Sequence, residues 1–173
     1  MILTLKEIFY FIILTAVVGY IFTGMFSRSF SRFNWQEFKF AAMISAPGII
    51  LHELAHKFTA MGYGLNATFE IFPFGLALGV ILRVFSAPFL IIAPGYVVIP
   101  LIQDEIAYRL IAFAGPLTNL ILFFISALIL KYGKINTKYM LGLALFKKLN
   151  LVLFFFNMIP FGPIDGAKVI FGP

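Results

Sequence analysis

The chain has 173 residues, 62% of them hydrophobic and only 12% charged, which excludes an ordinary soluble domain, about half apolar and about a quarter charged, and places it in the membrane class. It has no cysteine, which excludes disulfide, iron–sulfur and thiolate–zinc chemistry. The formal net charge of +6 comes from basic residues scattered at segment ends, where the expected partner is the lipid bilayer and not nucleic acid.

The first apolar run goes from about Ile8 to Phe26, long enough for a bilayer span of roughly 20 helical residues. It exceeds a signal-peptide core and has no small-x-small cleavage site at its end, so a retained span is expected. The polar stretch SRSFSRFNWQEFK follows, with Arg28, Arg32 and Lys39. A second span is predicted from about Phe40 to Met61, with Pro47-Gly48 bending or loosening it. Residues 62–103 are apolar but interrupted by Gly and Pro every few residues, a pattern that reads as short strands. Strand edges are not tolerated in hydrocarbon, so this β region belongs at the membrane face or inside protein.

A third span is predicted from about Ile106 to Leu130, opened by Asp104 and Glu105 as helix N-terminal acids. The basic loop KYGKINTK leads to a fourth, from about Tyr139 to Ile159, with Lys147 and Lys148 inside it. The expected fold is membrane α-helical, with about four transmembrane helices and a short membrane-associated β region between the second and third. Residues 1–39 form the first helix and its polar loop; residues 40–173 form the core that carries the chemistry.

Both histidines of the chain lie in His52-Glu53-Leu54-Ala55-His56. Helix positions four apart share a face, so the two imidazoles can take neighbouring corners of one tetrahedral zinc site. Glu53, one residue round, is close enough to act on water held there. In a soluble helix this five-residue pattern is weak, since two satisfied core histidines and a paired glutamate would explain it. Inside an apolar span ionisable groups are costly and usually functional.

A catalytic zinc commonly has three protein ligands and one open position. With no cysteine and no further histidine, the third ligand is an acid. Glu7 and Glu37 lie at the far end of their spans or in the polar loop, Asp104 and Glu105 open the third span, and Glu70 is a weak candidate in the β region. Asp165, in Pro163-Ile164-Asp165-Gly166, follows the fourth span. If the spans alternate, the second and fourth end on the same side, which brings Asp165 towards His52 and His56. Asp-Gly is a common turn pair, and alone Asp165 would read as a turn residue.

Three elements together resemble the site-2 protease family of intramembrane zinc metalloproteases. They are His52-Glu53-Leu54-Ala55-His56; Asn157-Met158-Ile159-Pro160 with Asp165-Gly166 four residues on; and Ala114-Gly115-Pro116-Leu117-Thr118-Asn119. Order and spacing agree from about residue 40 to 170. The resemblance implies one Zn2+ per chain bound by His52, His56 and Asp165, with Glu53 as catalytic acid/base. It implies hydrolysis of peptide bonds in a transmembrane protein substrate, as in regulated intramembrane proteolysis. Some family members continue with further spans, whereas this chain stops seven residues after Gly166. Ile164 stands where many have Leu.

Asn157 is a candidate for positioning substrate, although interhelical hydrogen bonding explains an Asn in a bundle equally well. For Asn119 the structural role is the stronger reading, with Gly115 and Pro116 permitting close helix approach. Residues 67–99 would offer an edge strand for capture of unwound substrate by β-addition, with Leu76–Val84 as the stretch to probe. The rival class is a metal-binding membrane protein: a catalytically inactive scaffold, which the presence of Glu53 disfavours, or a transporter, for which four spans with one acid cluster make a poor conduit. Charge alone would put the loops after spans one and three in the cytoplasm; the resemblance implies the reverse, a cell-membrane protein with its zinc end facing the cytosol. Oligomeric state is not legible.

Overall fold

The computed structural model describes residues 2–23, 34–85 and 94–173. Along the chain run α1 (Leu5–Phe22), α2 (Trp35–Gly62), β1 (Thr68–Ile71), α3 (Pro73–Val84), β2 (Gly95–Val98), α4 (Glu105–Tyr132), α5 (Thr137–Asn157) and α6 (Asp165–Phe171). Helices α1, α2, α4 and α5 are long and apolar enough to cross a membrane, and β1 pairs with β2 in a two-stranded sheet. This is the membrane α-helical fold expected, with a small β region between the second and third spans. Arg28, Arg32 and the run 86–93 lie outside the described residues.

The chain packs as two compact units, Met1–Pro47 with Phe69–Tyr96, and Gly48–Thr68 with Val97–Pro173. In the first, Thr4 caps α1: its hydroxyl accepts from the Glu7 amide, and the Glu7 carboxylate accepts from the Thr4 amide at 2.8 Å. Together these satisfy two of the amides that a helix start leaves without partners. The other Glu7 oxygen accepts from the Phe69 amide at 2.8 Å, so this buried acid ties α1 to the start of the β region. Lys6 pairs with Glu70 at 2.6 Å. Asn34 similarly opens α2, accepting from the Gln36 amide at 2.9 Å, and α2 runs unbroken through Pro47.

The structure corrects the strand reading of Leu76–Val84, which is helical. Pro73 stands at the first helical position, where its fixed φ and missing N–H cost nothing. Gly75 and Gly79 are four apart, and both are buried with Leu76, so the residues taken as strand breakers form one packed helix face. At 12 residues, α3 is about 18 Å long, too short to span. A strand edge at Leu76–Val84 is therefore not available to substrate.

In the second unit, Ala60, Ala67 and Ile111 form a core with Met61, Leu65, Val97, Ile99 and Ile102 packed against it. Asp104 caps α4 through the amides of Ile106 and Ala107, and α4 packs along α5 and α6.

Candidate metal centre

The last part of α2 supplies His52, Glu53 and His56, all buried. His56 is six residues and His52 ten residues from the end of α2 at Gly62, so they sit roughly 9 and 15 Å inside the helix end. Asp165, the first residue of α6, comes to meet them. Its Oδ2 lies 3.1 Å from the Nε2 of His52 and 3.1 Å from that of His56, and the two Nε2 atoms are 3.0 Å apart. Among the described residues these three are the group of His and acidic side chains able to hold a metal ion. The sequence brought the same three together by topology.

The other ring nitrogens explain the orientation. His56 Nδ1 lies 2.7 Å from the Ile111 carbonyl of α4. A carbonyl only accepts, so this nitrogen carries the proton. His52 Nδ1 lies 2.7 Å from Asn119 Oδ1. Asn119 Nδ2 donates to the Gly48 carbonyl at 3.1 Å and to Asn150 Oδ1 at 2.9 Å, which makes its Oδ1 the acceptor and His52 Nδ1 the donor. Asn150 Nδ2 in turn donates to the Phe146 carbonyl at 2.9 Å. Both asparagines are 0% exposed. With Nδ1 serving these acceptors, each ring presents its Nε2 to Asp165.

Three acceptor atoms at this spacing repel one another unless a proton or a cation lies among them. Burial alone would raise the Asp165 carboxyl; its hydrogen bonds with the two imidazoles outweigh that and hold it well below the usual carboxylate range. A carboxylate that ligates a metal must be ionised, and a lowered carboxyl suits that role. Its second oxygen is engaged separately, by Lys168 Nζ at 3.2 Å. Two imidazole nitrogens and one carboxylate oxygen make a donor set suited to zinc.

Gly115 of α4 keeps this space clear. A Cβ there would fall 2.6 Å from His52 Nε2 and closer still to His56 Nε2. Its closeness is to the imidazoles, not simply to another helix as the sequence suggested. Glu53 is buried beside the site. Asn157 ends α5 and donates to the Leu153 carbonyl on its own helix at 3.0 Å. Glu70, the alternative third ligand, faces Lys6.

The chain is 41% identical over 152 residues to the "Putative zinc metalloprotease MJ0611" of Methanocaldococcus jannaschii, a match that covers 84% of this chain and 76% of the relative. The chain belongs to this family of zinc metalloproteases. It is also 31% identical over 140 residues to the "Putative zinc metalloprotease YwhC" of Bacillus subtilis, covering 69% of this chain and 62% of that relative. No protein-family model and no solved structure matches it.

One feature of the metalloprotease is not found from its sequence: Asn150, although an Asn within an apolar span is a signal in itself. Asn119 makes the interhelical hydrogen bonds expected of it, to Gly48 and Asn150, and its amide oxygen also meets His52.

Proposed function

We propose that this metalloprotease is an intramembrane zinc endopeptidase of the site-2 type, hydrolysing peptide bonds of transmembrane protein substrates. The observation that carries the reading is the convergence of His52 Nε2, His56 Nε2 and Asp165 Oδ2, with Glu53 alongside, within a helix apolar enough to cross a membrane. His52, His56 and Asp165 would hold one zinc. When bound, zinc supplies Lewis acidity, lowering the pKa of water and polarising the scissile carbonyl.

Glu53 takes the proton of the attacking water and delivers it to the leaving amine as the peptide C–N bond breaks. The Ile111 carbonyl and Asn119 keep both imidazoles in the tautomer that offers Nε2, as hydrogen-bond partners of ligating histidines do in metal sites. The resemblance to the site-2 proteases supports a cell-membrane location with the active site towards the cytosol.

The test uses the full chain in liposomes with a co-reconstituted single-span peptide. The reading expects products whose new ends, mapped by mass spectrometry, fall within or at the border of the apolar segment, with loss of cleavage on zinc chelation. Cleavage confined to soluble peptides would refute the intramembrane part. Zinc binding with no proteolysis of any peptide would leave the metal-binding scaffold as the better reading.

A further inference from the structure

Helix α6 carries the third candidate ligand at its first residue, yet it has only 7 residues. Isolated helices shorter than about 12–15 residues are marginal, so its position must come from what grips it. At its start, Gly166 packs directly on the Met158 backbone. At its end, the final carbonyls have no partners within the helix. The Gly172 amide serves the Lys168 carbonyl at 3.0 Å. Arg109 Nη1, from α4, serves the next two, Val169 at 2.6 Å and Ile170 at 2.8 Å. The guanidinium is aimed by Glu105 one turn earlier on α4, whose Oε1 accepts from Nε at 2.9 Å and Nη2 at 2.6 Å. A cation at a helix C-terminus also meets the negative end of the macrodipole.

Helix α4 is therefore attached twice to the metal centre. Through the Ile111 carbonyl it fixes His56, and two residues earlier, through Arg109, it fixes the helix that carries Asp165. We propose that Arg109, oriented by Glu105, is a positioning residue: it latches the C-terminal end of α6 to α4 and so holds the Asp165 carboxylate against the two histidines. The inference rests on the zinc reading above. It gives Arg109 no contact with substrate or reacting atoms; the residue acts through Asp165.

The test measures metal, not activity. Full-length protein in detergent is loaded with zinc, and its release to a chromogenic chelator is followed in wild type, Arg109→Ala, Arg109→Lys and Glu105→Gln. Loss of a group that directly orients a metal ligand typically costs on the order of 10–100-fold in metal affinity, and release from Arg109→Ala, which acts one step further out, should quicken by up to that factor with helix content unchanged. The cobalt-substituted form should show altered visible bands, reporting a displaced carboxylate. Arg109→Lys, which can serve one carbonyl at a time, should recover part of the loss, and Glu105→Gln should fall between Ala and wild type.

Wild-type release and an unchanged cobalt spectrum in Arg109→Ala would overturn the latch, while stoichiometric zinc in the wild type would leave the zinc reading standing. A wild type that binds no zinc would end both. If Arg109→Ala does not accumulate folded, Glu105→Gln decides: release at the wild-type rate overturns the latch. Metal loss tracking lost helix content, unrelieved by Lys, would also overturn it.

Discussion

Gly115→Ala is a one-carbon test of where the metal lies. The added methyl would sit 2.6 Å from His52 Nε2 and closer to His56 Nε2, against 3.4–4 Å for ordinary contact. Relief for His52 alone needs roughly 0.8 Å of movement, several times the ±0.2 Å latitude of a metal–ligand bond. Neither ring can yield freely. His52 is held by Asn119 and His56 by the Ile111 carbonyl, both at 2.7 Å, and leaving such a buried partner unsatisfied costs about 1–3 kcal/mol. The substitution adds a good helix former to α4, so the helix itself should not suffer. Zinc affinity should fall by at least ~100-fold, the upper end for changes to groups that orient metal ligands. Competition against graded chelators gives the affinity, and circular dichroism checks the fold. Wild-type zinc affinity in folded Gly115→Ala would mean that the metal does not lie between the two Nε2 atoms.

Asp165→Asn should lose most of its zinc by elemental analysis, since an amide carries no charge for the cation; full occupancy would require another third ligand. Glu70→Gln should keep zinc and cleavage at wild-type levels, because Glu70 is paired with Lys6; metal loss there would reopen the ligand assignment. Asn150→Leu should weaken zinc binding on the order of 10–100-fold by releasing the Asn119 amide that sets the His52 tautomer, and unchanged affinity would sever that chain.

The four spans were legible because a long apolar run has few other solutions in a bilayer, and the ends of α2, α4 and α5 fall close to where composition changes. The ligand trio was legible because the chain offers only two histidines and few acids. Helix α3 was misread because Gly and Pro were counted as strand limits, while their spacing of Pro73, Gly75 and Gly79 suits a helix start and one packed face. Asp165, which taken alone would read as a turn residue, opens a short helix. The amide chain from His52 to Asn150, and the reach of Arg109 to Val169, join residues far apart in sequence. No local pattern encodes such partners, and only packing reveals them.

The most direct test of the account is the rate at which Glu53→Gln cleaves a transmembrane peptide, measured on protein whose zinc content is determined in the same sample. Gln keeps the shape of Glu and cannot take a proton from water. Zinc should remain at one per chain and cleavage should fall about 10²–10⁴-fold, the usual contribution of a general acid–base group. Cleavage near the wild-type rate by zinc-loaded Glu53→Gln would contradict the mechanism at its centre.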